Sequence, residues 1–223
     1  MATAMDTHVK FPYKSVVRKI VTRNVILLIP VLVIFKVSVN GGSLLDPIAY
    51  PLASCKCFTA LIAILEFTSW LLIVQKSQKK VGNLLKSVAV ILLFSGVYHL
   101  VAILFGAPFL ASSAETYHFA MLLTATTILP ACCVLGPPSA IWIRNYFLNM
   151  SELGVESVVH ICSICSLLGA WLGAFPIPLD WDRPWQVWPI SCVLGVLGGY
   201  CSGLVLSTCH LIYCTRNRKS KLF

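Results

Sequence analysis

Asp180 and Asp182 flank Trp181 and are followed at once by Arg183, inside the stretch PIPLDWDRPWQVWP from Pro176 to Pro189. Two carboxylates so close could divide acid and base roles, but the adjacent guanidinium offers either of them an ion pair instead. Other groups able to do chemistry are sparse. The chain has eight acidic side chains, five histidines and ten cysteines, and they do not cluster. Cys162 and Cys165 have the spacing of half a zinc site, yet no second pair with histidine support accompanies them. With Cys132, Cys133, Cys192, Cys201 and Cys209 they stand in apolar runs and read as small packing residues. Cys55 and Cys57 could form a disulfide, and Cys214 could be acylated. The chain offers no nucleophile with a positioned base, so the expectation is a protein without catalytic residues, metal or cofactor.

Lys36, Lys56, Glu66 and His99 stand inside apolar runs, where an ionisable group costs a few kcal/mol and often marks function. Lys36 and Lys56 lie near the same ends of adjacent runs, where they can snorkel or together hold a lipid phosphate. Glu66 lies roughly 15 Å deeper along its helix than either lysine, so it needs another partner. His99, mid-run in the third segment, is one candidate, although a histidine bonded to a backbone carbonyl fits as well.

The elements that position these residues follow from composition. With 58% hydrophobic and 11% charged residues in 223, the chain has too little polar surface for a water-soluble domain. In a bilayer a helical span takes about 20 apolar residues, and six runs have that length. They are Ile20 to Val39, Leu52 to Val74, Ser87 to Phe109, Tyr117 to Leu135, Val158 to Ile177 and Val187 to Tyr213, the last with Pro189 in its first turn. The fold class is therefore all-α: one polytopic membrane domain over residues 20–213, between a basic segment 1–19 and a basic tail 214–223.

Basic residues set the orientation, because loops rich in them stay cytosolic. Lys10, Lys14, Arg18, Lys19 and Arg23 open the chain; Lys76, Lys79, Lys80 and Lys86 follow the second run; Arg216, Arg218, Lys219 and Lys221 close it. The intervening loops hold Asp46, Glu115, Asp180, Asp182 and one basic residue, Arg183. Both termini are expected in the cytosol, and the net charge of +9 reads as topology and attraction to anionic headgroups; no nucleic-acid motif is present. The loop Gly136 to Glu156 contains IWIRNYFL, an expected interfacial helix, and the sequon at Asn149, expected on the cytosolic side. The end KSKLF has the lysine spacing of a retrieval signal to the endoplasmic reticulum.

Glycines supply a packing signal. Gly195, Gly199 and Gly203 recur every fourth residue in the sixth run, and Gly169 with Gly173 repeats the spacing in the fifth. Such faces let backbones approach closely where lipid competes with apolar side chains. They suit a contact between runs five and six, with any remainder open to a partner's membrane helix.

The segment GAWLGAFPIPLDWDRPWQVWPIS, Gly169 to Ser191, resembles the signature of PIG-F, the class F family of glycosylphosphatidylinositol (GPI) anchor synthesis. FGAP at Phe105 to Pro108, Glu115-Thr116 and LGP at Leu135 to Pro137 agree in order. The resemblance implies a multi-pass protein of the endoplasmic reticulum that acts as a non-catalytic, stabilising subunit. Its partners would be the large enzymes that move ethanolamine phosphate from phosphatidylethanolamine to the third mannose of the GPI core, and the related enzyme for the second mannose. In this light Asp180, Trp181, Asp182, Arg183, Pro184 and Trp185 form a stiff lumenal hairpin, structural in itself or facing the partner. A lipid transporter or scramblase, with Glu66, Lys56 and His99 along a polar path, is the alternative, and an intramembrane transferase at Asp180 or Asp182 a third reading.

Overall fold

Apolar runs close as α-helices because hydrocarbon gives backbone N–H and C=O groups no other partner. The computed structural model describes residues 13–39, 46–73, 81–136, 155–179 and 181–220. Its helices are α1 (Tyr13–Val39), α2 (Pro51–Ile73), α3 (Val81–Leu104), α4 (Ser113–Leu135), α5 (Val155–Ala174) and α6 (Ile190–Ser220), with a 3-10 turn at Pro184–Gln186. All six are long and apolar enough to cross a membrane, and no strand occurs among the described residues. The segment before Tyr13, Lys76, Lys79 and Lys80, the IWIRNYFL stretch, Asn149, Asp180 and residues 221–223 lie outside the described residues.

Helix ends differ from the hydropathy reading for local reasons. The third helix stops at Leu104, not Phe109, because FGAP is a stop signal. Gly106 takes φ +100°, its N–H donates to Ile103 O at 2.9 Å, and Ala107 N–H donates to Ala102 O at 3.0 Å. That pair of bonds is a Schellman cap, and Pro108 follows it as such caps favour. The fifth helix ends at Ala174, not Ile177, since Pro176 and Pro178 turn the chain. Pro30 and Pro130 do not break α1 and α4. The first helix starts at Tyr13 rather than Ile20, which places Arg23 about 15 Å inside it instead of at its lip. The sixth begins after Pro189 and runs to Ser220, so most of the tail continues as helix.

The end of α3 and the starts of α4 and α6 meet at one end, called here the hairpin end, where the Trp188 side chain bonds Thr116 and the His99 ring meets Tyr117. Helix α4 lies innermost, touching α2, α3, α5 and α6. Phe119, Leu122 and Leu123 of α4 share a core with Phe58 and Ile62 of α2 and with Val193, Val196, Leu197 and Leu204 of α6. On the other side of α4, Ile128, Ala131 and Cys132 meet Val159 of α5 and the partly buried Val90, Ile91 and Phe94 of α3. Helix α1 rests on α2 and α6.

Candidate functional site

Three arrangements stand out: a buried polar cluster, a glycine seam and a braced loop. In the first, Glu66 and Ser69 are one helical turn apart on α2, and Ser207 and Thr208 are neighbours on α6, so their polar groups meet α1. Arg23 (5% exposed) forms an ion pair with Glu66 (1% exposed) through Nη2 and Oε2. The other carboxylate oxygen accepts a hydrogen bond from the Tyr200 hydroxyl, itself 1% exposed. Arg23 Nε donates to Ser69 Oγ at 3.2 Å, and Nη1 donates to Asn24 Oδ1 at 3.2 Å. Asn24 Nδ2 then donates to Thr208 Oγ1 at 2.8 Å and to Ser207 Oγ at 3.3 Å.

Burying two charges is offset only when geometry and further hydrogen bonds satisfy both, and here both carboxylate oxygens and all three guanidinium nitrogens are engaged. The cluster ties α1 to α2 and α6. It leaves Glu66 no free oxygen for acid or base work. Glu66 therefore pairs with Arg23 and Tyr200 and not with His99, whose ring meets Tyr117 edge-on at 6.0 Å. Glu66 is buried in this cluster, His99 is half-buried, and Lys56 is exposed, as is Lys36.

In the seam, α5 and α6 touch backbone to backbone. A Cβ on Gly169 would strike the carbonyl of Gly195, one on Gly195 that of Gly169, and one on Gly199 that of Cys165. A Cβ on Gly173 would strike Ser191, and one on Gly203 would come 2.7 Å from Cys162 Cα. All five glycines take part in this contact, and the one on α6 that meets open space is Gly198. Gly198 lines a shallow groove of about 500 Å³ with Cys165, Leu168, Leu172 and Ser202. Cys162 faces Ser207 at 3.8 Å, Cys214 faces His210 at 3.6 Å, and all ten cysteines are free thiols.

The loop between α5 and α6 is braced by a side chain the sequence reading passed over. Gln186 Nε2 donates to Pro176 O at 2.7 Å and Leu179 O at 2.6 Å, while its Oε1 accepts from Arg183 N–H at 2.8 Å. Trp188 Nε1 donates to Thr116 Oγ1 on α4 at 2.9 Å, and its ring stands edge-on to Phe119 at 5.3 Å. Trp181 and Trp185 meet edge-on at 6.1 Å. Trp181, Asp182, Arg183 and Pro184 are exposed, and Asp182 takes φ +48°. No ion pair joins Asp182 to Arg183 among the described residues; Asp180 lies outside them.

Residues 19–208, which contain every residue of the cluster, seam and loop, match the GPI biosynthesis protein family Pig-F. The chain belongs to that family. Among Pig-F relatives, the "GPI ethanolamine phosphate transferase, stabilizing subunit" of Mus musculus and that of Homo sapiens are each 44% identical over 140 residues. The matched part is 63% of this chain and 63% of each relative. "Glycosylphosphatidylinositol anchor biosynthesis protein 11" of Neurospora crassa is 42% identical over 106 residues, 47% of this chain and 37% of the relative. No solved structure matches this chain. It is thus a multi-pass membrane protein of GPI-anchor biosynthesis. The Pig-F features quoted from the sequence have structural work: FGAP caps α3, and the threonine of Glu115-Thr116 receives Trp188.

Sequence reasoning took Arg23 for a topology signal and overlooked Asn24, Ser69, Tyr200, Ser207 and Gln186. The available signal was polar residues at helical spacing within apolar runs, but nothing local pairs Arg23 with residues 43 and 46 positions away.

Proposed function

We propose that the chain is the non-catalytic stabilising subunit of the endoplasmic-reticulum enzymes that transfer ethanolamine phosphate to the third mannose, and in a related enzyme the second mannose, of the GPI core. The observation that carries this reading is the closed polar cluster. The buried charges hold the chain's own helices together, whereas the exposed tryptophan and arginine stand on a loop braced by Gln186. A binding module has this division, because a rigid scaffold presenting exposed anchors limits the ordering cost of association, and Trp and Arg are frequent hot spots. The names of the mouse and human relatives support it.

In this reading residues 1–19 and 214–223 are cytosolic, following the basic-residue pattern. Asp180, Trp181, Asp182, Arg183, Pro184 and Trp185 then face the lumen and meet a large catalytic subunit that carries the phosphoryl-transfer chemistry. The test replaces Trp181 and Arg183 separately by Ala and recovers tagged protein in mild detergent. Each variant should insert normally and co-purify less of the transferase subunit. Undiminished recovery from both variants would remove the loop from the interface. Ethanolamine phosphate transfer, or lipid movement between leaflets, by the purified chain alone would replace the reading with an enzyme or a transporter.

A further inference from the structure

At the hairpin end a second group of ionisable side chains is left unused by the fold. Helices α2 and α4 pack together and, with α3 returning between them, run in the same direction. Lys56 on α2 and His118 on α4 stand equally far from the starts of their helices, about 8 Å along each axis. Lys56 and Glu115 are both near enough for their charges to act on the His118 ring. The Tyr117 ring stands edge-on to His118 at 5.8 Å and to His99 of α3 at 6.0 Å. Among the described residues, Lys56, Glu115 and His118 form no ion pair, and the buried Nδ1 of His99 has no hydrogen-bond partner. The α4 N-cap residue, Ser112, makes no side-chain cap, which leaves the positive end of that helix beside them.

Order along the axis indicates what such a group holds. Lys56 and His118 share one level, and Glu115 lies about 4.5 Å nearer the water, one turn before His118. A glycerophospholipid presents its phosphate deeper than its headgroup amine. We infer that the α2–α4 end holds the headgroup of a zwitterionic phospholipid, with the phosphate between Lys56 and His118 and the ammonium on Glu115. Tyr117, which is exposed and whose ring meets that of His118, offers a further polar group beside them. Exposed Phe105, Phe109 and Leu110 on the adjoining α3–α4 connection offer apolar surface for the acyl chains. An anionic lipid satisfies Lys56 but sets its charge against Glu115, so the carboxylate selects for the amine.

The experiment uses the full chain in detergent with native mass spectrometry, adding phosphatidylethanolamine, phosphatidylglycerol or soluble glycerophosphoethanolamine in equal amounts. Wild type should retain phosphatidylethanolamine over phosphatidylglycerol. Lys56→Gln should lower phosphatidylethanolamine retention about fivefold, the upper range for a partly exposed ion pair. Glu115→Gln should abolish the preference while keeping phosphatidylglycerol. Lys36→Gln, at an exposed position on α1, should change nothing. Equal retention of both lipids by wild type, a preference untouched by Lys56→Gln and Glu115→Gln, or loss with Lys36→Gln would overturn the site. Binding of glycerophosphoethanolamine as tight as that of the lipid would overturn the lipid as its source. Only this chain and lipid are present, so the result is independent of the catalytic partner.

Discussion

Where α5 meets α6, five glycines bring two backbones together without a polar side chain between them; where α1 meets α2 and α6, an ion pair, a phenol, an amide and three hydroxyls hold the helices. Both solve the problem that apolar side chains gain little by leaving lipid for a neighbouring helix. The seam uses close approach, and its specificity is steric: any Cβ at those positions collides. The cluster uses unsatisfied charge as the alternative state, so α1, which packs mainly on α6 and α2 among the described residues, is held by what it would leave exposed if it moved away.

The contrast can be broken from either side. Gly195→Leu should have the largest effect, since its side chain must displace the α5 backbone; no folded protein should be recovered in detergent. Gly198→Leu, three residues on, meets open space and should leave the yield unchanged. Arg23→Leu or Glu66→Gln should each lower stability by about 3–5 kcal/mol, because one charge or its partner is left buried alone. Replacing the pair together, Arg23→Met with Glu66→Leu, should restore most of that loss in a thermal unfolding series. Recovery of folded Gly195→Leu, or no rescue by the double variant, would mean that the two contacts are not of different kinds.

Tyr200→Phe should cost about 1.5–3 kcal/mol, the range for a hydrogen bond to a charged group. It should cost little in an Arg23→Met/Glu66→Leu background, which isolates the phenol's dependence on the carboxylate. Thr116→Val removes the acceptor of the Trp188 bond, and the loss should be about 1 kcal/mol. Its readout is protease sensitivity of the α5–α6 loop rather than global unfolding.

The seam was legible in the sequence because its pattern is local: glycines four apart in two consecutive runs need no knowledge of the fold. The six helices were legible for the same reason, as each apolar run closes on itself. Their ends were read less well where a specific stop decides them, such as the Gly106 cap of α3 or the prolines after Ala174. The cluster was not legible as a unit. Glu66 announced that it needed a partner, but only the packing of α1 against α2 brings Arg23, 43 positions away in sequence, to it. In the loop, the charged residues drew attention through their chemistry, while the bracing falls to Gln186, whose amide reaches three backbone groups only once the prolines have turned the chain.

The most direct test of the stabilising role is the lifetime of the large transferase subunit in cells lacking this chain, measured together with transfer activity per surviving subunit. Re-expression of wild type should lengthen that lifetime, Arg23→Leu should fail to, and activity per subunit should stay constant throughout. An unchanged lifetime with activity per subunit falling in the chain's absence would contradict the account, because the chain would then be contributing to the chemistry itself.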